Sequence, residues 1–204
     1  MFTFAQSTTF NASEFPTERS ESIDRSFREL KEDPWYRIPG ARRFRAMSKF
    51  SRIAGEWRRV LDDSFFQSAE VNAFNGGIER RFDSICLSDV PEAFLLGMAE
   101  NQARTMEIDD GDWEVNVHQI RVQTNALGRP EGLATPEGIH QDGHDFIGMV
   151  LWNRANVSGA VSQIHDGAHR VVEAFTLLER GEGLLIDDRR FFHSVTPFYP
   201  KDPT

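Results

Sequence analysis

The stretch "TPEGIHQDGHDFIGMVLWNR", residues 135–154, decides the fold, because it sets a polar cluster directly before a near-continuous apolar run. The run "DFIGMVLWNR" (145–154) reads as a buried central strand. In the polar part, His140 and Asp142 lie at i and i+2, so an extended backbone turns both side chains to one face. Two ligands from one strand end need a third from elsewhere to hold a metal ion. His193, in "RRFFHSVTPF" (189–198), stands 51 residues after Asp142 inside another expected strand. Two imidazoles and one carboxylate suit one face of a ferrous ion, leaving adjacent positions for a bidentate co-substrate and dioxygen. With no thiolate ligand in the set, a Cys-rich zinc or iron–sulfur centre is disfavoured.

Working outward, "WEVNVHQIRVQT" (113–124) alternates and is rich in β-branched residues, which predicts a strand. "SGAVSQIH" and "HRVVEAFTLL" flank Asp166-Gly167, a hairpin dipeptide. "GEGLLID" and "FFHSVTPF" follow, parted by the charged turn Asp187-Asp188-Arg189-Arg190. Six short strands with regular turn signals predict an antiparallel sandwich or barrel. Upstream the texture is helical. Ile23, Phe27 and Leu30 keep helical spacing up to the Asp33-Pro34 stop. A second helix is expected over 91–106, capped by Asp89, with Phe94, Leu95, Met98 and Ala99 on one face. "RIPGARRFRAMSKFSRI" reads as a solvated basic face with a short strand at Arg43–Arg45. The expected class is α+β, mainly β, with N-terminal helices packed on a C-terminal sandwich. One domain spans 1–204: a loose arm or short edge strand over 1–19, mainly helical support over 20–110, and the β core over 111–204.

The remaining histidines are weaker ligand candidates. His144 belongs near the rim of the site, His165 and His169 to the exposed hairpin turn, and His118 to a sheet. Arg121 and Arg154 are the candidate carboxylate binders, and Thr196 can donate its hydroxyl to a co-substrate. For each of these a structural ion pair or a backbone hydrogen bond is an equal reading.

Composition narrows the function classes. The 204 residues suffice for a hydrophobic core, and 39% hydrophobic with 27% charged residues is ordinary for a soluble domain. A net charge of −9 disfavours nucleic acid or an anionic membrane as partner. No window reaches the roughly 18 apolar residues of a membrane span. The N-terminus lacks the pattern of a secretion signal. Cys86 is the only cysteine, which points to a reducing, cytoplasmic setting. The GxxxxGK[ST] phosphate cradle is absent.

"PEGIHQDGHDF", "LWNRANVSG", "LLIDDRRFFHSVTP" and "NAFNGGIERRF" together resemble the bacterial 2-oxoglutarate/Fe(II)-dependent dioxygenases that include L-isoleucine hydroxylase and related free amino-acid hydroxylases. The resemblance covers roughly residues 40 to 200, with the motifs in the expected order. It implies a double-stranded β-helix (jelly-roll) core and Fe(2+) held by His140, Asp142 and His193. It also implies 2-oxoglutarate as co-substrate, O2 as oxidant, succinate and CO2 as co-products, and hydroxylation of a free amino acid or similar small polar metabolite. Such enzymes carry a basic residue on a strand after the distal histidine. This chain stops at Thr204, eleven residues past His193. A last strand beyond Thr204 is therefore expected, with Lys201 only a weak substitute. Two other classes stay open: a non-catalytic binding or regulatory protein on a degenerate scaffold, and a cupin-like metalloenzyme that does not use 2-oxoglutarate.

Overall fold

The computed structural model describes residues 2–8, 10–11, 16–62, 64–72, 74–109, 111–124 and 131–202. In chain order the elements are β1 (Phe4–Thr8), α1 (Thr17–Glu29), β2 (Ala41–Ile53), β3 (Glu56–Val60), β4 (Ser64–Phe65), β5 (Arg80–Arg81) and α2 (Glu92–Thr105). There follow β6 (Trp113–Thr124), β7 (Phe146–Val150), β8 (Val157–Gly159), β9 (Ser162–His165), β10 (Val171–Phe175), β11 (Glu182–Asp187), β12 (Phe192–Val195) and β13 (Phe198–Pro200). The chain is mostly β with two helices among the described residues, and every strand pairing is antiparallel.

Two three-stranded sheets, β1-β11-β7 and β10-β9-β12, face each other. Ile164 of β9 meets Leu184 and Ile186 of β11 between them, with Phe4, Met149, Phe175 and Phe191 around the edge. Burying each such side chain contributes about 1.5–3 kcal/mol. The central buried strand is therefore β11, where Leu184, Leu185 and Ile186 are all buried, and not the run at 145–154. That run forms β7, a half-buried edge strand. An apolar run records burial of side chains but not position within the sheet. The N-terminal arm supplies the opposite edge, β1, paired to β11 from Phe4↔Ile186 to Thr8↔Glu182.

The larger departure lies in the half expected to be mainly helical. It carries α1 and α2 but also β2 to β5. β2 runs thirteen residues and sits in the middle of the sheet β3-β2-β6, paired with β6 from Ala41↔Thr124 to Arg52↔Trp113. Both faces of β2 are covered. Phe44, Ala46 and Phe50 pack with Ile23 and Leu30 at α1 and Leu95 of α2. Met47, on the opposite face, packs with Phe65 of β4, Phe82 and Trp35. Arg43 and Arg45 share the face of Met47 and are buried, so the basic stretch is not a solvated face. Neighbouring strands and helices, unseen in the local pattern, override its charge.

Two local signals also resolve differently. α2 begins at Glu92 behind Pro91 and has no side-chain cap. Asp89, two residues upstream of Pro91, accepts instead from the guanidinium of Arg25 on α1. The β9–β10 hairpin forms as expected, but its left-handed residue is His169 (φ 59°). Asp166 Oδ1 holds that turn by accepting from the N–H groups of Ala168 and Arg170.

Candidate metal centre

His140 and His193 exchange a pair of backbone hydrogen bonds, His140 N–H to His193 O at 3.1 Å and His193 N–H to His140 O at 2.9 Å. This bridge continues the β9–β12 sheet by one residue and sets the imidazoles side by side, with ring centroids 4.3 Å apart. Asp142 comes between them: Oδ1 lies 3.7 Å from His140 Nε2, and Oδ2 lies 3.5 Å from His193 Nε2. One ligand atom from each of the three falls within 4.8 Å of the others. Two imidazole nitrogens and one carboxylate oxygen converging from one side make a donor set that fits a ferrous ion.

The imidazole tautomers follow from the far nitrogens. His140 Nδ1 stands 2.9 Å from the carbonyl of Gly138, so it donates and Nε2 stays free to ligate. His193 Nδ1 faces Asp188 Oδ1 at 3.7 Å, and these two buried atoms each lack a hydrogen-bond partner. Asp188 was expected only in the turn before the strand. It is in that turn, but it is almost wholly buried and organises the site. Its Oδ2 accepts from the backbone N–H groups of Asp142, Gly143 and His144 at 3.0, 2.9 and 3.2 Å. One carboxylate therefore binds the loop bearing Asp142 to the strand bearing His193.

The titration of the group reflects this crowding. Burial works to raise the Asp142 carboxyl. The hydrogen bond with His193 and the charges of His193, His140 and His144 outweigh it and hold the carboxyl below the usual range. Burial works to lower His193, but Asp142, Asp188 and Glu137 together raise it. Burial and then Asp142 push the Asp188 carboxyl up. A positive charge on the His193 ring is thus favoured by three carboxylates.

Glycine at residue 143 suits the turn of this loop. Gly143 has φ +80°, and a Cβ there would stand 3.1 Å from Val71 Cγ1. Gly143→Ala is expected to destabilise the fold by about 1–2 kcal/mol. Urea unfolding reads this directly, and an unchanged midpoint would show that the loop relaxes freely.

A second tier was missed by the sequence reading. Gln67 donates from Nε2 to Asp142 O at 2.9 Å and to Asp142 Oδ1 at 3.3 Å. Its Oε1 accepts from Arg80 Nη2 at 2.6 Å and from Asn72 Nδ2 at 3.1 Å, which fixes the amide orientation. On the same face of the β2–β6 pair, Arg45 Nη2 lies 2.9 Å from His118 Nδ1. Arg45 sits over Phe82 at 4.4 Å and Phe65 at 5.1 Å. Burial and then the charge of Arg43 pull the Arg45 pKa down to about 9, still a cation at neutral pH. Burial and then the charge of Arg45 hold His118 well below its ordinary value, so it is neutral and accepts. Asn72 and Arg80 lie in "NAFNGGIERRF", which marks a resemblance but no role; only packing between distant segments brings these residues together.

The His118 shift has a pH consequence. The unfolded chain takes up a proton near pH 6.5 that the folded chain refuses, so this group's stability is intact above about pH 6.5 and lost below it. In His118→Gln, the stability lost between about pH 6.5 and pH 5.5 is expected to shrink by up to about 1.4 kcal/mol. Urea titrations of both proteins at the two pH values measure it.

The three expected co-substrate residues have other partners. Arg121 pairs with Phe44 across the strands and lies 4.0 Å over its ring, on the helix-facing side of the sheet, away from Arg45. Arg154 donates to the carbonyl of Gly159. Thr196 Oγ1 accepts from Val161 N–H at 2.9 Å. Among the rival histidines, His144 is exposed beside the site, 6.5 Å from the Phe65 ring, in keeping with a rim position. His165, expected to be exposed, is buried against Ser194 Oγ at 2.8 Å because β9 lies between β10 and β12. His169 is exposed and packs edge-on against Phe192. The triad, Arg45, Arg80 and Gln67 line one open cavity of about 2210 Å³. That exceeds the roughly 300–1,000 Å³ of ordinary ligand pockets, so the polar end of the cavity, not its size, carries the chemistry.

Comparison with known proteins agrees with this geometry. The chain is 27% identical to the L-isoleucine-4-hydroxylase of Bacillus thuringiensis over 165 residues, which cover 78% of this chain and 68% of that protein. A crystal structure of a bsmA homolog from Methylobium petroleophilum PM1 superposes with a TM-score of 0.76 at 28% identity, covering 99% of this chain and 82% of that one. The structure of IDO from Bacillus thuringiensis gives 0.73 at 19% identity, covering 98% and 84%, and is a likeness of fold. The family model for 2OG-Fe dioxygenases matches residues 24–204. This chain therefore belongs to the 2OG-Fe dioxygenase family, whose members use Fe(2+), 2-oxoglutarate and O2.

Proposed function

We propose that this protein is a cytoplasmic Fe(II)/2-oxoglutarate-dependent dioxygenase that hydroxylates a free amino acid or similar small polar metabolite, releasing succinate and CO2. The observation that carries the reading is the convergence of His140, Asp142 and His193 from one side, with ligand atoms within 4.8 Å of one another. The double-stranded β-helix is the architecture that best accounts for two facing antiparallel sheets with ligands at their edge, and residues 1–204 act as one domain in it. The similarity to L-isoleucine-4-hydroxylase supports an amino acid as substrate.

When bound, iron supplies the activation of dioxygen, driven by oxidative decarboxylation of 2-oxoglutarate. The chain's own residues do the rest. Gly138 fixes which nitrogen His140 presents, the Asp188 carboxylate facing His193 Nδ1 favours a proton on that nitrogen, and Gln67 donates to the Asp142 carboxylate. Thr196, Arg121 and Arg154 remain candidates for the co-substrate carboxylate only where a ligand exchanges their present contacts.

An anaerobic titration with Fe(II) and then 2-oxoglutarate tests the reading. A visible charge-transfer band is expected, followed by amino-acid-dependent succinate release once O2 is admitted. Iron bound without a band, or a band with no succinate from any of the twenty protein amino acids, would overturn the co-substrate and the substrate respectively.

A further inference from the structure

Three guanidinium groups, of Arg43, Arg45 and Arg80, lie buried close to one another, and only one of them has a carboxylate in contact. Arg43 donates to Asp33 at 2.8 Å. Arg45 (8% exposed) and Arg80 (2% exposed) form no salt bridge among the described residues. Arg45 directs its hydrogen bonding at a neutral histidine, His118, and Arg80 at a neutral amide, Gln67. Arg80 Nε is buried with no partner at all. The two cations flank the same ring, Phe65, at 5.1 and 4.9 Å from its centroid. Asp33 and Asp142 act on both cations only at longer range, and neither guanidinium has a carboxylate in contact, so a directly paired anion would offset part of their burial cost. The fold keeps them in place by ring faces and neutral acceptors, an arrangement that leaves guanidinium N–H groups for a ligand carboxylate, which they match in planar geometry.

We propose that Arg45 and Arg80 form the subsite for the substrate's carboxylate, one side chain away from Asp142. The spacing follows from the chain Arg80 to Gln67 Oε1 (2.6 Å) and Gln67 Nε2 to Asp142 Oδ1 (3.3 Å). A small amino acid gripped there by its carboxylate directs its side-chain carbons past Gln67 toward the triad. Phe65 and Phe82 form the apolar wall that excludes water from the pair. The inference rests on the dioxygenase reading for its meaning, but its test does not depend on turnover.

The experiment compares the twenty protein amino acids by calorimetry on the metal-free protein, then the tightest binder against its own primary amide. Charged hydrogen bonds of this kind are worth about tenfold to a hundredfold in affinity. The acid is expected to bind at least about tenfold more tightly than the amide, and Arg45→Met is expected to abolish the difference. In the iron-loaded protein, the 2-oxoglutarate charge-transfer band of Arg45→Met is expected to titrate within about twofold of the parent. Equal binding of acid and amide, or no binding of any amino acid, overturns the subsite. So does an Arg45→Met protein that keeps its acid preference but loses 2-oxoglutarate, which would give the pair to the co-substrate. Should Arg45→Met fail to fold, the parent's acid-to-amide ratio still decides. Arg45→Lys, which keeps charge but loses the planar fork, is then expected to show a reduced ratio. A missing band in the parent, with acid preference intact, would defeat the dioxygenase reading and leave the carboxylate subsite standing.

Discussion

Asp188→Asn is expected to weaken iron binding by about 10- to 100-fold although it removes no ligand. The carboxylate has two separable jobs. Oδ2 gathers the three N–H groups of residues 142–144, and an asparagine carbonyl placed there still accepts them. The other position then becomes an amide N–H₂ facing His193 Nδ1. A donor at that place favours the tautomer with Nδ1 bare and the proton on Nε2, the nitrogen that must be free to ligate. Asp188→Ala loses both jobs, so it is expected to bind iron at least as poorly and to unfold at lower urea. His193→Ala sets the floor for the series. Anaerobic Fe(II) titration against a competing chelator, beside urea melts, separates ligation from folding. Parent-like affinity in Asp188→Asn would confine Asp188 to holding the loop.

How much of this was legible in the sequence depends on how local each feature is. His140 and Asp142 stand out because ligand chemistry and strand alternation coincide over three residues. His193 follows because a third ligand must come from another strand. Helices α1 and α2 were legible from spacing, since an amphipathic face needs only its own residues. The β2–β6 sheet was not. Its burial comes from α1, α2 and β4, so a string such as "RRFRAMSKF" with four cations looks exposed until those partners are in place. For the same reason no local pattern gave Arg45, Arg80 or Gln67 a role, even though Arg80 stands in "NAFNGGIERRF", whereas Arg121 and Arg154 drew attention through strand position and have ordinary structural contacts instead. Asp188 was half legible: the turn could be read, but the burial of one of its two aspartates against a metal-site loop depends on a contact 46 residues away. Local chemistry marked the ligands, and long-range packing determined what holds them.

The fold's own stability is expected to depend most on a pair outside the metal site. Asp33→Ala is expected to cost about 3–5 kcal/mol, the loss typical when one partner of a buried ion pair is removed. The Asp33 side chain is 0% exposed and that of Arg43 is 9% exposed, with Nε to Oδ2 at 2.8 Å. Asp33 Oδ1 also accepts from Trp35 N–H at 2.9 Å, and Asp33 N–H donates to Arg43 O at 2.7 Å. One residue thus fastens the segment after α1 to the middle strand of the sheet. Removing its carboxylate leaves the Arg43 guanidinium over Tyr36 with no anion, beside the cations of Arg45 and Arg80. Three uncompensated cations then share one buried face, and repulsion adds to the desolvation loss. The paired change Asp33→Leu with Arg43→Met removes both charges and is expected to recover most of the stability. Urea unfolding of Asp33→Leu, Arg43→Met and the double variant closes the cycle. A double variant no more stable than Asp33→Ala would show that the hydrogen bonds to Trp35 and the backbone, and not the ion pair, hold this corner.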